Sequence, residues 1–94
     1  MNNLISVVVT CYNHEKYIEQ CLRSVFNQTY TNIELIVLDD GSTDSSTQII
    51  QEVLKDSPFE TRFETHENLG VVKNRNLGLE LIRGDYLLFV DSDN

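Results

Sequence analysis

Basic residues are scarce in this chain: 7 Lys and Arg stand against 15 Asp and Glu, for a net charge of -8. That balance excludes a surface built for nonspecific nucleic-acid binding, which needs basic charge. It does not exclude a small anionic ligand, because helix amino-termini and a bound divalent cation hold phosphates on an acidic protein. Long hydrophobic runs are also missing, and none approaches the roughly 20 residues needed to cross a bilayer. Met1-Asn2-Asn3-Leu4 lacks the basic-then-apolar pattern of a signal peptide. A cytoplasmic location is expected, with attachment to a membrane surface left open for the full-length protein. The two cysteines, Cys11 and Cys21, make no disulfide scaffold and have no histidines at metal-ligand spacing, so they read as reduced thiols. No Gly-x-Gly-x-x-Gly follows the first apolar run and no Gly-Lys-Ser/Thr occurs, which excludes the two commonest phosphate-binding loops. No repeat, linker or low-complexity stretch divides the 94 residues, so they form one domain at most.

What the chain has is apolar runs that discharge into acids. Tyr86-Leu87-Leu88-Phe89-Val90 ends in Asp91-Ser92-Asp93-Asn94, and Ile33-Glu34-Leu35-Ile36-Val37-Leu38 ends in Asp39-Asp40-Gly41-Ser42. Ile5 to Thr10 is a third run, almost continuously β-branched, as in a strand covered on both faces. Thr61 to His66 is a weaker strand whose alternation suits a sheet edge. Helical periodicity fills the intervals. A helix from about Glu15 to Phe26 carries Ile18, Cys21, Leu22, Val25 and Phe26 on one stripe, with Asn13 as its N-cap. A second, about Ser45 to Lys55, carries Ile49, Ile50, Val53 and Leu54 and ends before Pro58. A third, about Val71 to Ile82, groups Leu77, Gly78, Leu81 and Ile82, with Gly78 allowing close approach to the sheet and Gly84 as C-cap. The order β-α-β-α-β-α-β predicts an α/β, Rossmann-like parallel sheet with helices on both faces. Ligands of such sheets bind outside the carboxyl ends of the strands. There the chain places Thr10 to His14, Asp39 to Asp44, His66 to Gly70 and Asp91 to Asn94.

The chemistry of those loops is carboxylate chemistry. Asp91 and Asp93 alternate to one side of an extended segment, and one or two acids plus diphosphate oxygens suit Mg²⁺ or Mn²⁺. Asp39 and Asp40 are adjacent and face opposite ways, so one caps the next helix while the other meets a ligand N–H or hydroxyl. Gly41 permits a positive φ, and Ser42, Thr43 and Asp44 all suit a cap. His14 and His66 lack partners in sequence and read as solvent-exposed. Lys73 and Arg75 read as solvated charges, with Arg75 also placed to contact a base or phosphate. Tyr12 suits stacking on a base or packing equally.

Taken in order, these residues resemble the amino-terminal half of the family 2 inverting glycosyltransferases, which have the GT-A fold. The matching pieces are Ser6-Val7-Val8-Val9-Thr10-Cys11-Tyr12-Asn13, Ser24-Val25-Phe26-Asn27-Gln28-Thr29-Tyr30 and Glu34 through Asp44. They continue with Asn68-Leu69-Gly70, Arg75-Asn76-Leu77-Gly78-Leu79 and Gly84-Asp85-Tyr86 through Asn94. The resemblance spans nearly the whole chain. It implies a nucleotide-sugar donor site, most often for a UDP-sugar, with an unknown acceptor. Thr10 and Tyr12 would lie against the nucleoside, Asp40 would accept from the uracil ring N–H, and Arg75 would lie near the base or diphosphate. Asp91 would approach the ribose or sugar, and Asp93, with Asp91, would hold Mn²⁺ or Mg²⁺ on the diphosphate. The family commonly has a proline near Thr10-Cys11, and this chain has none there.

In this family the acceptor half and the catalytic base follow the Asp-x-Asp, so residues 1–94 are expected to be a donor-binding half with the acceptor half absent. No residue here is assigned as base, and the chain alone is expected to be inactive. The alternative reading is a noncatalytic nucleotide-binding or interaction module. A phosphoacceptor signalling domain ranks below both, because its acids and required lysine do not map here. Tyr86 to Val90 is expected to have no neighbour on its far side, which invites a homodimer through the exposed sheet edge.

Overall fold

The computed structural model describes residues 3–91. Four strands, β1 (Ile5–Cys11), β2 (Ile33–Asp39), β3 (Glu60–Thr65) and β4 (Tyr86–Asp91), alternate with three helices, α1 (Ile18–Phe26), α2 (Ser46–Val53) and α3 (Val71–Leu81). A 3₁₀ turn, Leu54–Asp56, ends α2. The strands form one parallel sheet in the order β3-β2-β1-β4. β1 and β2 are central, and their unbroken β-branched runs are buried on both faces. The register pairs Thr10 with Leu38 on one side and with Asp91 on the other. It therefore sets the ends of β1, β2 and β4 side by side.

Two cores flank the sheet. Val7, Val9, Leu35 and Val37 pack under Ile18, Leu22 and Val25 of α1 and Ile50 and Val53 of α2. Val8, Ile36 and Leu38 pack on the opposite face, against Leu77 and Leu81 of α3 and Leu87 and Phe89 of β4. Gly78 makes that second contact possible, since a Cβ there would stand 2.9 Å from a Val8 methyl. The predicted strands and helices all form, with helices on both faces.

Four local expectations are corrected. The first helix starts at Ile18, not Glu15, and Asn13 does not cap it: its φ is +54° and its side chain turns to another loop. Gly84 is no C-cap either. Its role is close approach, since a Cβ there would lie 2.5 Å from the Ser6 Oγ. His66 is not solvent-exposed but largely buried, and His14 is half-buried. The apolar run Tyr86–Val90 is less buried than its composition suggests, with Tyr86 and Leu88 exposed. The reason is position: β4 is an edge strand, and α1 and α2 pack chiefly over β1 and β2.

Candidate functional site

The two adjacent aspartates at the end of β2 split as strand geometry requires. Asp39 is fully buried toward the α1–α2 face. It accepts from the Ser42 N–H at 3.0 Å, the Thr65 hydroxyl at 3.0 Å, the Thr47 hydroxyl at 3.3 Å, and the Ser42 hydroxyl. This carboxylate shapes the turn that Gly41 makes possible. Gly41 has φ +77°, and a Cβ on it would stand 2.8 Å from the Asn68 amide nitrogen. Asp40 points to the α3 face and is 4% exposed. Its oxygens accept from the Leu69 N–H at 2.7 Å and the Gly70 N–H at 3.1 Å, at the amino-terminus of α3. A carboxylate there meets the positive end of the helix dipole. The His66 Nε2 also lies 3.3 Å from Asp40, without the angle of a hydrogen bond.

Asn13 joins the loops after β1 and β2. Its Oδ1 accepts from the Thr43 N–H at 2.8 Å and the Asp44 N–H at 3.3 Å, while its own N–H donates to the Ser42 hydroxyl at 2.9 Å. Its cap chemistry is thus spent 30 residues away, across the sheet edge. Asp44 answers from the other side, accepting from the Ser46 N–H at 2.8 Å and the Glu15 N–H at 3.2 Å. Burial alone would raise the Asp44 pKa, but the bonds from Ser46 and Glu15 outweigh it and hold the carboxyl below its ordinary value.

Between these braced loops lies a crevice of about 130 Å³. Thr10, Tyr12, Asp40 and Asp91 line it, together with Asn74 of α3. The Thr10 hydroxyl donates to the Asp91 Oδ1 at 2.6 Å, so one strand end orients the acid of the next. Five of the residues singled out in sequence, these four and His14, are therefore brought together from the ends of β1, β2 and β4. Arg75 is not among the lining residues, and its guanidinium carbon sits 4.8 Å from the Phe89 ring centroid, a cation–π contact. Asp93 lies outside the described residues. Among the described residues no group of three or more His, Cys, Asp or Glu stands together as a metal cage. A larger hollow of about 360 Å³ opens between α1 and β4, walled chiefly by apolar side chains such as Val7, Val25 and Leu88. It offers little of the convergent polar chemistry that the smaller crevice has.

Asn74 was missed in the sequence. Its signal was there: it falls four residues before Gly78, on the stripe that α3 buries against the sheet, where a polar side chain is out of place.

A four-stranded parallel sheet covered by helices is the fold shared with the GT-A nucleotide-sugar transferases. Residues 6–94 match the family described as "Glycosyl transferase family 2", and the chain belongs to that family. It is 46% identical, over 91 residues, to an uncharacterized glycosyltransferase of Haemophilus influenzae, covering 97% of this chain and 36% of that protein. Among solved structures it is similar to S. aureus TarS 1–349 in complex with UDP-GlcNAc, at 36% identity and a TM-score of 0.85. That match covers 96% of this chain and 26% of TarS 1–349. It is also similar to glucosyl-3-phosphoglycerate synthase from Mycobacterium tuberculosis in complex with Mn²⁺, UDP and glucosyl-3-phosphoglycerate, at 27% identity and a TM-score of 0.78. There the match covers 97% of this chain and 34% of the synthase. The chain thus spans about a third, or less, of the length of these relatives. Among the described residues no helix is long and apolar enough to cross a membrane.

Proposed function

We propose that these residues bind the donor of a glycosyl transfer, a nucleotide-diphosphate sugar and most often a UDP-sugar, in the crevice at the carboxyl edge of the sheet. The observation that carries the reading is the convergence there of Thr10, Tyr12, Asp40 and Asp91 from three strand ends. Tyr12, 44% exposed at the rim, has a free face for a base. Asp40, fixed by the Leu69 and Gly70 amides, retains lone pairs for a ring N–H. The Thr10 hydroxyl holds the Asp91 carboxylate at the crevice, which supports assigning Asp91 to the ribose or sugar. Arg75 reaches the base or diphosphate by leaving Phe89. The complexes named for two relatives, with UDP-GlcNAc and with UDP and Mn²⁺, support this donor class.

A divalent cation, Mn²⁺ or Mg²⁺, fits the donor set. Asp91 offers a hard oxygen ligand at the exposed end of β4, and Asp93, two positions on in the sequence, is proposed as its partner ligand. When bound, such an ion neutralises the diphosphate as it leaves. The transfer forms a bond from the acceptor oxygen to the anomeric carbon and breaks the bond from that carbon to the diphosphate. A base must take the acceptor proton; we assign that role to no residue here, and propose donor binding as the task of residues 1–94. The acceptor is a saccharide or another hydroxyl compound, in keeping with polysaccharide synthesis. Donor hydrolysis or transfer by residues 1–94 alone would exclude a purely binding role for them. The β4 edge of the sheet supports a homodimer in which a second copy pairs along it.

Calorimetry of the full chain with UDP and Mn²⁺ tests the reading. Saturable binding that weakens at least about tenfold in Asp40→Ala is expected, from loss of a charged hydrogen-bond acceptor. Well-folded protein that binds no UDP with either ion would sink it.

A further inference from the structure

We propose that Asn74 is a nucleoside-recognition residue of the crevice, its carboxamide hydrogen-bonding the base edge or a ribose hydroxyl of the bound nucleotide. The inference rests on the donor site proposed above and deepens it.

Asn74 is 3% exposed, and its Oδ1 is buried without a hydrogen-bond partner. Its backbone N–H donates to the Gly70 carbonyl at 3.0 Å, which fixes it one turn into α3. The side chain lines the crevice together with Thr10, Tyr12, Asp40 and Asp91. A buried acceptor left unpaired costs free energy, and asparagine is also a weaker helix former than alanine or leucine. On the packed stripe of a helix either apolar residue would serve the fold better. A local rule broken against stability, inside a crevice, marks a residue kept for a ligand.

The kind of ligand follows from what the other wall groups offer. Asp40 and Asp91 are anionic acceptors, already holding the Leu69 and Gly70 amides and the Thr10 hydroxyl. Asn74 adds a neutral group with an acceptor and two donors side by side. A pyrimidine edge alternates carbonyls with an N–H, and a ribose carries hydroxyls that donate and accept, so a carboxamide matches both. Its unpaired atom, the Oδ1, only accepts, and the oxygens of a metal-bound diphosphate have no proton to give it. The contact therefore belongs to the nucleoside and not to the phosphates.

Asn74→Leu and Asn74→Ala, made in the full chain, test this. Leu keeps the branched shape, in a larger side chain, and removes the polarity; Ala removes shape and polarity without adding bulk. Three quantities are read: affinity for UDP with Mn²⁺, affinity for inorganic pyrophosphate with Mn²⁺ by competition, and melting temperature. The expected result is about tenfold weaker UDP binding in both variants, as for the loss of one good hydrogen bond. Pyrophosphate affinity should stay within about twofold of wild type, and the melting temperature should equal or exceed it. Unchanged UDP affinity in the variants overturns the inference, and so does an equal loss for UDP and pyrophosphate. A lower melting temperature in both variants makes Asn74 a packing residue and overturns it too. If the wild-type chain binds pyrophosphate but not UDP, the donor-site reading itself fails, which separates the two failures.

Discussion

At the amino-terminal ends of the strands Glu34 is buried with its carboxylate fully engaged; at the carboxyl ends Asn74 and His66 are buried with polar atoms unengaged. Glu34 accepts from the Ser6 hydroxyl at 2.5 Å, the Arg83 N–H at 2.6 Å and the Arg83 guanidinium at 3.1 Å. Ser6 in turn accepts from the Gly84 N–H at 2.8 Å, in the space that the missing Cβ of Gly84 leaves. Among the described residues the buried side-chain atoms without a hydrogen-bond partner are the two His66 ring nitrogens and the Asn74 Oδ1. All three lie at the other end. One sheet thus has one end closed by its own groups, which ties β1, β2 and the α3–β4 connection together. At the other end the Asn74 Oδ1 faces the crevice unpaired, while the His66 ring stands against Asp40 without a hydrogen bond. Native structures pair nearly all buried polar atoms, so the exceptions on this edge call for an explanation that the closed end does not.

The sharpest way to break this contrast is to remove Glu34. Glu34→Ala strands the Ser6 hydroxyl and the Arg83 N–H, while the exposed Arg83 guanidinium keeps Glu60, and should lower unfolding free energy by about 2 kcal/mol. Its UDP affinity, measured on the folded fraction at low temperature, should hold. Parallel loss of both would show the two ends are not independent. Next is Gly41→Ala, which forces a side chain into positive φ and against the Asn68 amide. A loss of about 2 kcal/mol is expected, and because that turn backs His66 and Asn68, UDP binding should fall with it. Urea denaturation paired with calorimetry separates the two mutants.

The smallest effect is a pH dependence. Burial would raise the Glu34 pKa, but the bonds from Ser6 and Arg83 outweigh it and hold the carboxyl below its ordinary value of 4.5. Its stabilisation is therefore fully present above pH 4.5, the unfolded-state value, and is lost as pH falls through the lower folded-state value. The difference in urea midpoint between wild type and Glu34→Gln should be largest at pH 7 and shrink below about pH 4. A gap that widens in acid would reverse the assigned sign.

The sheet was legible in the sequence because its evidence is local. β-Branched runs mark β1 and β2, alternation marks β3 as an edge, and the stripes of α1 and α2 repeat at helical spacing. The positions of Asp40 and Asp91 at the carboxyl edge were legible for the same reason, each standing at the end of an apolar run. What escaped were contacts made across the sheet edge. Asn13 has the chemistry of an N-cap, and nothing in its neighbourhood says that the amides it serves are those of Thr43 and Asp44. His66 looks like a polar loop residue until the close packing at Gly41 draws its segment inward. Gly84 follows a helix, as a C-cap does, yet answers to Ser6, which sits 78 positions earlier. Periodicity reports which face a residue takes and is silent on what faces it.

The strand order has a consequence for how the crevice comes into being. β4 joins the sheet beside β1, so the Thr10–Asp91 bond closes a loop of 81 residues. Contacts that distant in sequence are slow to form, because the chain entropy is lost before the pairing rewards it. β1, β2 and β3 can align through shorter crossovers, leaving β1 with one open side. The crevice exists only once that side is filled. A partly folded chain can therefore be rich in parallel sheet and still have no place for a nucleotide. Nucleotide binding, followed in time during refolding, should appear after most of the circular-dichroism signal has returned.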